Sequence, residues 1–287
     1  MAAPADRPAP GGTDAPAPPG LSLRGVDFSS RPSRRKAITM AIGQRCGTRV
    51  LVDRLRRFHH LDDWAASLDE PGPWRAGMDL PFGLPRELVT TLGWPTDWSA
   101  LMRHYAALDR AVIRDRFKTF CAARPVGGKF AHRACDGPAG ASPSMKWVNP
   151  PVAWMLHAGV PRLIAAGCDL PGLRAGDGRR QALEAYPGLL ARELIGRTSY
   201  KSDDRQAWTE ARRQARITLV KRLEQGAGRL ALQLVAEPAL RAELIDDASG
   251  DALDAVLCLV QVAWSVTRPG HGWPAGVDPL EGWILTA

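Results

Sequence analysis

Lysine is scarce in this chain. Only six of the 38 basic residues are Lys, against 30 acidic residues and a formal net charge of +8. A surplus of Arg, Ala, Pro and Gly is also what GC-rich coding writes, so the charge permits a polyanionic partner without requiring one. The five cysteines (Cys46, Cys121, Cys135, Cys168, Cys258) lie far apart and form no Cys-x-x-Cys pair. That spacing excludes the common zinc sites and a disulfide framework. No apolar run reaches the length of a membrane span; the most apolar stretch, residues 252–264, carries Asp254 and Gln261, so no membrane association is expected. The beginning of the chain lacks the apolar centre of a signal peptide, which together with the scattered thiols predicts a cytoplasmic protein. There is no P-loop, no Gly-x-Ser-x-Gly and no His-Glu-x-x-His, which removes three large enzyme classes.

What is present suits a folded domain. At 287 residues with 45% apolar and 24% charged side chains, the chain is long enough for a core that needs no staples. Residues 1–20 hold six Pro, six Ala and three Gly, and predict a disordered or polyproline-like tail. From Leu21 the pattern changes, and residues 21–287 read as one domain. Short apolar runs at 21–28, 36–43 and 49–55, joined by polar or Gly turns, predict three antiparallel strands. A helix opened by Asp62 and Asp63 precedes a fourth strand at 76–80, which such a crossover places parallel to the first. Residues 85–93 and 99–123 have helical spacing; 124–151 are rich in Gly, Pro and Ser and predict a long irregular, functional or mobile loop. A helix is expected over 152–166 and a fifth strand over 181–185. Helices follow at 188–196, 204–226, 238–246 and 251–267, with a terminal strand at 282–286. The class is α/β, with a helical and loop insertion over about residues 85–178.

The carboxylates carry the chemical signal. Asp27 sits inside the first strand, Asp79 at the end of the fourth and Glu184 near the end of the fifth, while Asp251 and Asp254 open an otherwise apolar helix. Acids avoid such positions unless paired or bound to a cation. Each has an ordinary alternative: Asp251 and Asp254 as first-turn acids or caps, Asp79 bonded to the Pro-Phe-Gly turn, Asp27 on an exposed face, Glu184 paired with Arg179, Arg180 or Arg192. Parallel first and fourth strands set Asp27 beside Asp79, and two close carboxylates call for a hard cation such as Mg²⁺ or Mn²⁺. Two-metal phosphodiester hydrolysis uses this kind of cluster.

The motifs GVDFS, GMDLPFGLP, EAYPGLLAR, SYKSDD and GDALDAVLCLVQVAW resemble those of the domain-of-unknown-function 429 family, described as predicted ribonuclease H-like nucleases. The resemblance spans nearly the whole chain from Leu21. It implies a five-stranded mixed sheet of order 3-2-1-4-5 with flanking helices, in agreement with the first five strands above. The Asp251, Asp254, Ala255 pattern is also similar to the last helix of RuvC-type resolvases. Carried over, the resemblance implies Mg²⁺ or Mn²⁺ held by Asp27, by Asp79 or Glu184, and by Asp251 or Asp254.

Basic residues supply the substrate side. Arg31, Arg34, Arg35 and Lys36 follow Asp27 closely and are candidates for phosphate contacts. The long loop adds Arg124, Lys129, Phe130, Arg133, Lys146 and Trp147, a mix that suits single-stranded nucleic acid. Lys201, within Ser-Tyr-Lys, is a further phosphate candidate, and His132 an isolated candidate base. The expected function is metal-dependent cleavage of nucleic acid, DNA or RNA. The alternatives are a non-catalytic nucleic-acid or protein-binding module and a hydrolase of a small phosphate ester.

Overall fold

The computed structural model describes residues 20–287; apart from Gly20, the expected disordered tail lies outside the described residues. Three strands open the fold: β1 (Ser22–Asp27), β2 (Ile38–Cys46) and β3 (Arg49–Phe58). They form an antiparallel meander. Helix α1 (Leu61–Leu68) crosses to β4 (Trp74–Asp79), which pairs parallel with β1, Asp27 standing opposite Asp79. Helices α2 (Arg86–Thr91), α3 (Trp98–Ala107), α4 (Arg110–Ala122), α5 (Asp136–Ala139) and α6 (Val152–Ala165) fill the stretch before β5 (Arg180–Glu184). Helices α7 (Pro187–Ile195) and α8 (Glu210–Glu224) follow, then β6 (Gln233–Ala236), α9 (Pro238–Asp246) and α10 (Asp251–Ser265).

The sheet differs from the expected one. It has six strands in the order β5-β4-β1-β2-β3-β6 rather than five in the order 3-2-1-4-5. The additional strand, β6, runs parallel to β3 with Val50 opposite Leu234. Residues 282–286 are not a strand but a turn-rich terminal segment. Two long helices expected from periodicity are each divided. Residues 99–123 break at Leu108 and Asp109, both extended. Residues 204–226 become a 3₁₀ turn and α8, because Thr209 adopts an extended backbone and its hydroxyl accepts from the Arg212 amide as an N-cap. The 124–151 stretch is not wholly irregular: it contains α5 and buries Ala131, Arg133, Cys135, Met145 and Trp147.

Strand alternation sorts the core into two layers. Val26, Met40 and Met78 face one side, with Trp64 of α1, Leu101 of α3 and Leu156 of α6. Leu23, Ala41 and Leu183 face the other, with residues of α7, α8 and α10. Helix α10 is apolar nearly all round and nearly all buried, as such a helix must be. It reaches the sheet through two glycines. Gly25 and Gly77 are paired across β1 and β4. A Cβ on Gly25 would lie 2.0 Å from the Ala255 carbonyl, and one on Gly77 2.6 Å from the Cys258 carbonyl. Their bare backbones let the start of α10 settle on the strand ends, where the acids are. Gly25→Ala is therefore expected to cost about 1–3 kcal/mol or more through overpacking against helix backbone that has no room to yield. Urea unfolding measures it; a midpoint equal to the wild type would show that α10 does not depend on this approach.

Candidate active site

The carboxyl ends of β1 and β4, the start of α10 and the Tyr200–Asp203 segment meet at one place. Asp27 and Asp79 are register partners on parallel strands, so their side chains leave the sheet on the same face, that of α10. Asp27 is buried and Asp79 half-buried. Among the described residues, no donor hydrogen-bonds either carboxylate. Burial first, then the charge of Asp254, holds Asp27 well above the ordinary carboxylate range, with Lys201 pulling it down and Asp251 and Asp79 pushing it up. Burial likewise raises Asp79 to about 7; Lys201 opposes that and Asp254 adds to it. Two acids in one desolvated corner cannot both hold charge cheaply.

The neighbouring acids are already engaged. Asp254, fully buried, accepts from the Tyr200 hydroxyl at 2.5 Å and from the Lys201 ammonium. Burial works to lower Lys201, but attraction to Asp254, Tyr200 and Asp27 outweighs it and holds the ammonium well above its usual range. Asp251 accepts from Lys36 at 3.0 Å, and the same ammonium reaches Asp203 at 2.6 Å. Asp251 is not the cap of α10: the Ala252 amide is served by Asp247. The Cys258 thiol lies beneath the cluster, pushed well up by burial and then by Asp79, Asp254 and Asp27.

Glu184 is separate, for a reason of register. Its strand partner is Met78, not Asp79, so its side chain leaves the opposite face of the sheet. It forms a double hydrogen bond with Arg133 at 2.6 and 2.7 Å and accepts from the Phe82 amide at 3.0 Å. Arg133 also pairs with the fully buried Asp136 at 2.9 Å. The partners expected for Glu184 are elsewhere: Arg180 pairs with Asp177 and Asp69, Arg179 bonds the Gly72 carbonyl, and Arg192 the Ala139 carbonyl. Arg133, read as part of a basic and aromatic loop suited to single-stranded nucleic acid, is a buried structural cation.

A cavity of about 470 Å³ opens over this corner, walled by Asp27, Asp79, Glu184, Lys36 and Lys201. Phe28, Pro151 and Met155 give it an apolar side. A second depression of about 510 Å³ shares Asp79, Tyr186 and Lys201 with it and adds Arg192 and Arg197.

A family model described as "Protein of unknown function (DUF429)" matches residues 25–278. The chain belongs to the DUF429 family. Comparison with curated proteins and with solved structures finds no match.

The DUF429 match takes in every acid and base considered above. Of the residues expected from sequence, the structure brings together Asp27, Asp79, Asp251, Asp254, Lys36 and Lys201. Arg34 and Arg35 are exposed on the β1–β2 link, and Arg31 lines a neighbouring depression. Lys129 is exposed, its ammonium over the Phe130 and Trp147 rings; neither it, Lys146 nor His132 lines the acid cavity. Arg124 pairs with Glu87. Sequence reasoning missed Tyr200 as a partner of Asp254 and Asp203 as a partner of Lys36, although both lie in the Ser-Tyr-Lys-Ser-Asp-Asp motif that drew attention to Lys201.

Among the described residues, no group of three or more His, Cys, Asp or Glu side chains is arranged to hold a metal ion. The pair Asp27 and Asp79 is nonetheless a fitting donor set for one hard cation. Mg²⁺ commonly takes one or two protein carboxylates and completes its shell with water and substrate phosphate. A second ion would need Asp254, Asp251 or Glu184 to leave its present cationic partner.

The acid pair also sets a pH dependence. The folded value of Asp79, about 7, lies above its ordinary 3.8. Its contribution to stability is thus full below about pH 4 and lost as pH rises to about 7. In a chelator, urea midpoints should fall across that interval, and Asp79→Asn should flatten the fall. Equal slopes for the two proteins would mean that Asp79 ionises normally.

Proposed function

We propose that this DUF429 protein is a phosphodiesterase dependent on Mg²⁺ or Mn²⁺, with nucleic acid as its substrate, on a ribonuclease H-like sheet. The observation that carries the reading is the pair Asp27 and Asp79. Both are desolvated, side by side, without a hydrogen-bond donor among the described residues, and open to a cavity that also presents two ammonium groups. A fold does not keep such a pair for stability, because it destabilises the folded state until a cation joins it. The fold part is supported by the first five strands, which keep the relative order 3-2-1-4-5 with β6 added at the β3 edge.

In this reading Asp27 and Asp79 hold the ion. When bound, it neutralises charge on a phosphoryl oxygen and makes a nearby water a better nucleophile. Lys201 faces the same cavity and holds a non-bridging phosphate oxygen. Asp254 and Tyr200 are positioning residues that fix where the Lys201 ammonium stands. Lys36, clamped by Asp203 and Asp251, limits repulsion as the polyanion enters. Arg133 and Glu184 support the cavity wall.

The test is a cleavage panel on purified protein: single-stranded, duplex and branched DNA, RNA and an RNA–DNA hybrid, each with Mg²⁺, Mn²⁺ or EDTA, beside Asp27→Asn. Cutting that needs the ion and Asp27 is the expected result, and it names the polymer. Turnover of nucleotides alone would make the substrate a small phosphate ester. Binding of nucleic acid indifferent to chelator and to Asp27→Asn, without cutting, would leave a non-catalytic module.

A further inference from the structure

Beside the acid cavity lies a depression of about 470 Å³ walled by Arg31, Arg110, Arg114 and Trp154. It shares Ser29 and Pro151 with the wall of the acid cavity, so the two are neighbouring stretches of one surface. Several arginines elsewhere reach a carboxylate across the fold. Arg24, Arg57, Arg86, Arg133 and Arg241 each pair with a carboxylate on a separate element or loop. Among the described residues, neither Arg31 nor Arg110 has a carboxylate partner, and Arg114 touches only its exposed chain neighbour Asp115, at 3.4 Å. Arg31 and Arg110 are close enough to repel, and Arg110 ionises less readily than usual because of burial first and Arg31 second. The Arg110 guanidinium lies over the half-buried Trp154 ring, 5.5 Å from its centroid. The depression thus combines unneutralised positive charge with a guanidinium lying over an indole ring.

We propose that this depression is a nucleotide subsite: Arg31 and Arg114 hold a backbone phosphate, and an unpaired base stacks on the Arg110–Trp154 platform. A duplex base has no free face to offer that platform, whereas every single-stranded base does. The inference rests on the phosphodiesterase reading and narrows its substrate to polynucleotide with an unpaired stretch beside the scissile bond. A small phosphate ester occupying the acid cavity would not reach Arg110 or Trp154.

The experiment is fluorescence anisotropy in EDTA with labelled single-stranded DNA and RNA of about 12 nucleotides, and a duplex of the same length. The wild type should bind single strands tighter than duplex. Arg31→Ala and Arg110→Ala should each weaken single-strand binding about tenfold at low salt and reduce the slope of log K against log salt by about 0.7, the value for one phosphate contact on a single strand. Trp154→Leu, which keeps an apolar side chain on α6, should weaken binding and leave the slope unchanged. Arg222→Ala, at the far end of α8, removes the same charge from an exposed position and should change neither. Equal affinity for single strands and duplex, or wild-type affinity and slope in both arginine variants, overturns the subsite. The two readings fail separately. Chelator-sensitive cleavage with unaltered binding in the arginine variants removes the subsite alone. Arginine-dependent strand binding with cleavage intact in Asp27→Asn removes the metal site alone.

Discussion

Asp27→Asn should lose chelator-sensitive cleavage by a factor on the order of 10³ and, in EDTA, should melt above the wild type. The two effects share one cause. The Asp27 carboxylate is buried beside Asp79 and feels Asp254 and Asp251 as well. Without a divalent ion, burial and the neighbouring acids outweigh the attraction to Lys201, and its negative charge raises the free energy of the fold. Asn has nearly the same shape, so the substitution removes the repulsion and leaves the packing of β1 against α10 unchanged. Each kcal/mol recovered raises the melting temperature by about 2–4 °C in a domain of this size. Adding Mg²⁺ should raise the wild type towards the variant, because ligand that binds only the folded state stabilises it by mass action. The variant should hardly respond. If Asp27→Asn melts at or below the wild type in EDTA, the corner is not electrostatically strained, and the argument for a cation there fails with it.

Much of the scaffold was legible in the residues, for physical reasons that also mark where legibility stopped. Strands β1 to β5 announced themselves as short apolar runs between turn residues, and the α1 crossover fixed β4 parallel to β1. Strand β6 did not. It has four residues, and its partner β3 lies some 180 positions earlier, so nothing local marks it. The division of the 99–123 helix was hidden because apolar spacing continued across Leu108 and Asp109 while the backbone did not. At the candidate site, the placement of Asp27, Asp79 and Glu184 on strands beside turns could be read, but not which face each side chain takes. That is set by register, and one step of register sends Glu184 to the opposite face from Asp79. Pairings that close over long loops, Glu184 with Arg133 and Asp251 with Lys36, leave no trace in spacing. The Arg31, Arg110, Arg114 and Trp154 depression joins three separate segments and was equally invisible.

Arg133→Met provides the sharpest contrast with Asp27→Asn, since it should destabilise strongly. The guanidinium is 3% exposed, Glu184 5% and Asp136 0%. Burial opposes the charge on Arg133, but Glu184 and Asp136 outweigh it and hold the group well above its usual range. Removing it leaves two desolvated carboxylates and frees the Glu281 carbonyl that Arg133 also serves. Breaking a buried pair in this way costs about 3–5 kcal/mol. The loss should depend on pH with a definite sign. Without Arg133 the folded value of Glu184 rises further above its unfolded one, so the variant keeps most of its stability near pH 4 and loses it as pH rises towards neutrality. Adding Glu184→Gln to Arg133→Met removes one of the stranded charges while its side-chain oxygen still accepts from the Phe82 amide. The double variant should recover part of the loss, giving a coupling energy of about 1–3 kcal/mol. A loss below about 1 kcal/mol, equal at pH 5 and pH 8, would show that water reaches this cluster. Opposite signs in EDTA, Asp27→Asn stabilising and Arg133→Met destabilising, would separate acids kept for a cation from an acid kept for the fold, although all three sit at strand ends in one sheet.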